Sequence, residues 1–177
     1  MPNTSTLRGR NVHDVYTNIY EVRNTVLSHQ IGQFPTRLQR GNKYIMVIVD
    51  INSNSILVKP INSRKDTELT RAYQTMMLRL RRAEIIPKKH ILDNEVSESL
   101  KTIIQVEYKM QTVLVPPGSH RRNAAEVAMS NFKAHLLSFL SGTAQDFPSS
   151  LWDRLLPQAE ITINLLRHSN ATPNISD

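Results

Sequence analysis

The run KYIMVIVD at 43–50 constrains the fold of this chain more than any other segment. Its apolar residues are nearly continuous and rich in β-branched side chains. A strand of this kind is buried on both faces, so its sheet must be covered on two sides. NSNS (52–55) is turn chemistry, and SILVKPI (55–61) is a second strand, which makes a hairpin. NTVLSHQ (24–30) reads as an earlier strand, separated from the run by the Gly- and Pro-bearing loop GQFPTRLQRGN.

After the hairpin the hydrophobic period changes from 2 to about 3.6. Leu69, Tyr73, Met76, Leu80 and Ala83 follow helical spacing, with Asp66 as the expected cap and Pro87 beyond the end. KHILD (89–93) is a short strand, VSESLKTIIQVEY (96–108) a helix burying Leu100, Ile103 and Ile104, and MQTVLVP (110–116) a strand stopped by Pro116-Pro117-Gly118. A long amphipathic helix is expected from about Asn123 to Ser141. A last helix is expected from Ser149 or Ser150 to about Arg167, with Ser150 and Asp153 in a capping-box pattern and a kink at Pro157. The order β-β-β-α-β-α-β-α-α predicts an antiparallel meander extended by two parallel strands, each reached through a helix. The fold class is therefore α/β, with a five-stranded mixed sheet in a three-layer α/β/α domain. That domain spans 24–177, and residues 1–23 form a polar N-terminal extension in which VHDVYTNIYEV can make a short helix.

Composition narrows the function. The chain has 177 residues, enough for one domain with its own core, and no cysteine, which excludes a disulfide scaffold, thiol catalysis and Cys-containing zinc fingers. No apolar run approaches the roughly 20 residues needed to cross a bilayer, and MPNTSTLRGR has no apolar core for a signal peptide, so an intracellular, soluble protein with no membrane partner is expected. The net charge of +7 and pI near 9.9 point to a polyanionic partner. The cations cluster at Arg37, Arg40 and Lys43, along Arg79, Arg81 and Arg82 into Lys88 and Lys89, and at Arg121 and Arg122.

Two segments carry candidate chemistry. His90-Ile91-Leu92-Asp93-Asn94-Glu95 ends a short buried strand on a carboxylate. Pro116-Pro117-Gly118-Ser119-His120-Arg121-Arg122-Asn123-Ala124-Ala125-Glu126 runs a basic loop into a helix bearing Glu126. Two-metal phosphoryl transfer needs several carboxylates converging from rigid elements, and these could supply two. Taken alone, a strand-end Asp is ordinarily a turn residue and a first-turn Glu ordinarily answers the helix dipole.

KYIMVIVDINS, ILDNE and PPGSHRRNAAE resemble, in that order, the successive blocks of integrase catalytic cores from retroviruses and long-terminal-repeat retrotransposons, over roughly residues 24–168. The resemblance implies a ribonuclease-H-like fold and metal-dependent cleavage and strand transfer at DNA phosphodiesters, with retroelement ends and a target duplex as DNA partners. It implies a two-metal Mg²⁺ or Mn²⁺ site, a possible homodimer, and an origin in a retrotransposon polyprotein. Asp93 matches the family's second carboxylate and Glu126 its third, 126 − 93 = 33 positions apart. Lys133, Arg121, Arg122 and Asn123 match its DNA-contacting region. The zinc-binding module that precedes many such cores is absent, so an excised or truncated core is expected.

The first block departs from the family. Ser28-His29-Gln30-Ile31-Gly32-Gln33-Phe34-Pro35 aligns through Gly32 and Phe34-Pro35, which puts His29 where the first, metal-bridging Asp belongs. A neutral imidazole has one lone pair and no negative charge, and it is a poor Mg²⁺ ligand though an acceptable one for Mn²⁺ or Zn²⁺. Catalysis is therefore expected to be impaired. The alternative is a non-catalytic nucleic-acid-binding or self-associating remnant; another ribonuclease-H-like nuclease fits the PPGSHRRNAAE block less well.

Overall fold

The computed structural model describes residues 23–32, 41–92, 96–114 and 120–168, with side chains in the last span from 127 onward. The N-terminal extension up to residue 22, loop residues 33–40, Asp93 and the Pro116-Pro117-Gly118 turn lie outside the described residues.

Five strands, β1 (Thr25–Ile31), β2 (Tyr44–Asp50), β3 (Ile56–Ile61), β4 (Lys89–Leu92) and β5 (Gln111–Leu114), form one sheet in the order β3-β2-β1-β4-β5. β1, β2 and β3 pair antiparallel, whereas β4 joins β1 and β5 joins β4 in parallel. Each parallel join is reached through a helix, α1 (Asp66–Arg82) and then α2 (Glu98–Val106), as a parallel crossover requires. The chain continues through α3 (His120–Ser141), a 3-10 helix (Ser149–Arg154) and α4 (Leu156–Leu165). Among the described residues no helix is long and apolar enough to cross a membrane.

The expected two-sided burial of β2 divides the core. Ile45, Val47 and Val49 pack with Leu27, Phe132, Leu136 and Trp152, under α3 and α4. Met46 and Ile48 face the other way, against Leu69, Tyr73, Met76, Leu100 and Ile104 of α1 and α2. The sheet is the middle of three layers.

Local chemistry corrects several expectations. Lys65, not Asp66, is the N-cap of α1; Asp66 is its first residue, and its carboxylate accepts from Ser99 Oγ at 2.8 Å. Ala83 is the exposed C-cap of α1 rather than a core residue. The helix closes with the bonds Glu84 N to Arg81 O (3.0 Å) and Ile85 N to Leu80 O (2.9 Å), with Glu84 at φ 60°. This Schellman geometry turns the chain and returns Ile85 to the core. Ile103 is only partly buried, and α3 begins at His120, three residues earlier than expected. The single kinked C-terminal helix is instead two elements. Pro157 falls in the first turn of α4, where its missing N–H has no intrahelical partner to lose. The Ser150–Asp153 box does not form, because Asp153 is buried and accepts from Asn42 Nδ2 at 3.3 Å.

β3 is an edge strand, and α4 covers its open backbone. Asn164 accepts from Ile56 N at 2.8 Å and donates to Ile56 O at 2.7 Å, while Glu160 Oε2 accepts from Val58 N at 2.8 Å. The next outward position is Pro60, which has no N–H to satisfy. Arg79 of α1 reaches round the same edge to both carboxylate oxygens of Glu160, joining the two helical layers.

Candidate nucleic-acid interface

β1 is the central strand and carries His29 near its middle. His29 pairs with Val47, and the flanking Leu27 and Ile31 pack in the cluster beneath α3 and α4. Strand alternation therefore directs His29 to the α3 face, where it is half-buried. On α3, Ala128, Met129, Phe132 and Leu136 hold the helix against the sheet. Glu126 lies in the α3 backbone two residues before Ala128, and Lys133, seven positions further, is exposed. Asp93 follows Leu92, the last residue of β4, and lies outside the described residues. The side chains of Arg121, Arg122, Asn123 and Glu126 lie outside them as well. Of the sequence-derived site, the described residues thus bring together His29 on β1 and the helix that carries Glu126 and Lys133.

Asp50, which ends β2, does not stand beside His29. Asp50 is opposite Val26, so it lies three positions along β2 from Val47 and faces the α1 side. Its Oδ2 accepts from Ser53 N at 2.8 Å and Ser53 Oγ at 2.7 Å, which makes it the brace of the β2–β3 turn. Among the described residues no group of three His, Asp or Glu side chains is placed to hold a metal ion. The donor chemistry at β1 is an imidazole, which does not fit a bridging ligand between two hard Mg²⁺ ions.

Sequence reasoning missed the polar network on the other side of β1. His90 of β4 is fully buried; its Nδ1 is 2.9 Å from Tyr73 Oη and its Nε2 is 2.9 Å from Ser28 Oγ. The Tyr73 ring stacks on His90 with centroids 5.3 Å apart, and Tyr108 meets Tyr73 edge-on at 5.6 Å. Burial pushes the imidazole pKa down to about 3 and raises that of the Tyr73 phenol, so both groups stay neutral. The network locks β1 to β4 one residue before His29. The spacing of His90 two residues from Leu92 was the available signal, since alternation along a strand puts both on one face, and both are buried. A cleft of about 230 Å³ flanks the same stretch of β1, lined by Ser28, His29, Gln30, Arg64, Asp66 and Ser97. His135 on α3 is half-buried, and its ring meets Phe139 edge-on at 4.9 Å. Phe132 and Trp152 are core residues.

Comparison with known proteins places the fold. The chain is similar to the catalytic core domain of BIV integrase, with a TM-score of 0.60 over 83% of this chain and 90% of that one, at 13% identity. It is also similar to a chain of the simian T-cell lymphotropic virus intasome in complex with PP2A regulatory subunit B56 gamma, with a TM-score of 0.66, 17% identity and 86% of this chain covered. This chain spans about half of that longer chain, 54% of its length. No family model and no curated protein matches the sequence. The architecture is that of an integrase catalytic core, as the sequence blocks implied.

Proposed function

We propose that the chain is the integrase-type core of a retrotransposon polyprotein, that it binds DNA through the α3 end of the sheet, and that its strand chemistry is impaired at His29. The observation that carries this reading is the place of His29, at the centre of β1 and facing the helix that bears Glu126. In this reading Asp93 and Glu126 are the remaining metal ligands. With His29 between them the donor set lacks the charge for a bridged Mg²⁺ pair and suits Mn²⁺ better. Arg121 and Arg122 can clamp phosphates by bidentate hydrogen bonds, with Asn123 and the exposed Lys133 extending the contact along the helix. Residues 1–23 are an extension outside this domain.

Binding of this kind reads phosphates rather than bases, so it should be nearly independent of sequence and weaken steeply with salt. Replacing Arg121, Arg122 and Lys133 together by alanine should reduce both the affinity for a labelled duplex and the slope of log affinity against log salt. An unchanged slope would move the DNA contact away from α3.

The second reading, a binding or self-associating remnant without catalysis, is favoured by the imidazole at His29, which lacks the charge that a bridging Mg²⁺ ligand carries. Both readings allow a homodimer, which the exposed Ile161, Leu165 and Leu166 of the α4 region support. Both also suit a protein that works inside the cell.

A further inference from the structure

A second basic surface lies at the opposite end of the sheet, and we infer that it is a separate binding track for a nucleic-acid backbone. The strands β1, β4 and β5 run parallel and begin at this end, while α1 and α2 finish there. Lys88 N donates to Asn24 O at 2.7 Å, and Gln111 N donates to Lys88 O at 2.9 Å. These bonds put Arg23, Lys88 and Lys109 at the entries of three adjacent strands, about 4.8 Å apart from one strand to the next. Arg81 and Arg82 close α1 on the same rim, and the Arg81 guanidinium lies 4.8 Å over the Tyr108 ring. All five cations are exposed. Among the described residues Arg23, Arg82, Lys88 and Lys109 have no ion-pair partner, whereas Arg79 one turn away is engaged by Glu160.

Cations at helix C-termini ordinarily answer the helix dipole, so their number decides the case. Two helix ends carry about half a negative charge each. Among the described residues Glu84 and Glu107 are the exposed carboxylates of the rim. Set against five cations, these leave about two positive charges uncompensated, and three of the five cations are not on a helix at all. Arg23 is six residues from His29 along β1, or roughly 20 Å at 3.3 Å per residue. One phosphate contact cannot serve both ends, so the far rim would hold a different stretch of backbone, or a second duplex. Ile86 and Val106 are exposed here as isolated aliphatics, too few to anchor a membrane. The choice of nucleic acid over another polyanion rests on the function proposed above.

The test is fluorescence anisotropy of the full chain with a labelled 30-bp duplex between 50 and 200 mM salt. The variant carries Arg82→Gln, Lys88→Gln and Lys109→Gln, which keep polar side chains at exposed positions. Loss of three phosphate contacts should lower the salt slope by nearly three, so that affinity falls about 40-fold less across that range than in the native chain. The Arg121, Arg122 and Lys133 alanine variant should show its own, additive reduction. A slope and affinity unchanged by the glutamine variant would overturn the inference. So would loss of binding to phosphatidylserine vesicles with duplex binding intact, which would make the rim a membrane patch. If the glutamine variant loses slope and the alanine variant does not, the far rim binds DNA and the α3 reading fails instead.

Discussion

At the residue scale, two histidines on neighbouring strands have opposite consequences. His29 sits where the integrase resemblance calls for a carboxylate, a position read from the alignment through Gly32 and Phe34-Pro35. His90 was not singled out, because its alternation with Leu92 gives the face it occupies but not its partners. Tyr73 is 17 positions before it and Ser28 is 62, so only the folded chain brings them together. The sign of its pH effect follows from burial. In the unfolded chain the imidazole takes a proton below its ordinary value of 6.5, but in the folded chain only near 3, so the unfolded state binds more protons between those values. Stability contributed by neutral His90 is complete above pH 6.5 and is lost as pH falls from there towards 3. Urea midpoints between pH 7 and 5 should drop in the native chain, and His90→Asn, though less stable at pH 7, should flatten that dependence. An equal pH dependence in both would place the titrating group elsewhere.

At the scale of elements, strands and helices were legible wherever one hydrophobic period held for a full element. β2 and α1 are the clearest cases, one a continuous β-branched run and the other a stripe through Leu69, Tyr73, Met76 and Leu80. The C-terminal segment was misread because Ser150 and Asp153 fit a capping box by type and spacing, yet Asp153 is recruited by Asn42, 111 positions away. Tertiary partners overrode the local motif. The covering of β3 was equally invisible, since Asn164 and Glu160 look like ordinary surface residues of a helix. Asn164→Ala should cost about 2 kcal/mol, because it removes two hydrogen bonds and leaves Ile56 N and O without their partner. It should also expose an edge able to pair with another copy. Chemical denaturation and light scattering check both effects; a loss below about 0.5 kcal/mol would mean that water replaces the side chain there.

At the scale of the molecule, one five-stranded sheet sets the place of every other element. The fold was legible because the change of period from 2 to 3.6 after Ile61, and the alternation of strands with helices beyond it, leave few topologies. The proposed site was read only from blocks of sequence, since its residues fall on β1, beyond the end of β4 and on α3, and no local pattern reports how such residues lie in the fold. The exposed apolar stripe of Ile161 and Leu165 on α4, with Leu166 beyond it, belongs to the same scale. Sedimentation should show a native dimer and a Leu165→Lys monomer; a native chain that stays monomeric at high concentration would remove self-association from the account.

The claim that His29 has replaced a bridging carboxylate is tested most directly by restoring it. Cleavage and strand transfer of a labelled duplex should be measured in Mg²⁺ for the native chain, for His29→Asp and for His29→Asp with Glu126→Gln. The account predicts little native activity, a gain of at least about 100-fold on restoring the carboxylate, equivalent to roughly 2.7 kcal/mol of transition-state stabilisation, and loss of that gain in the double variant. Native activity in Mg²⁺ equal to that of His29→Asp would contradict it, because another residue would then supply the missing charge.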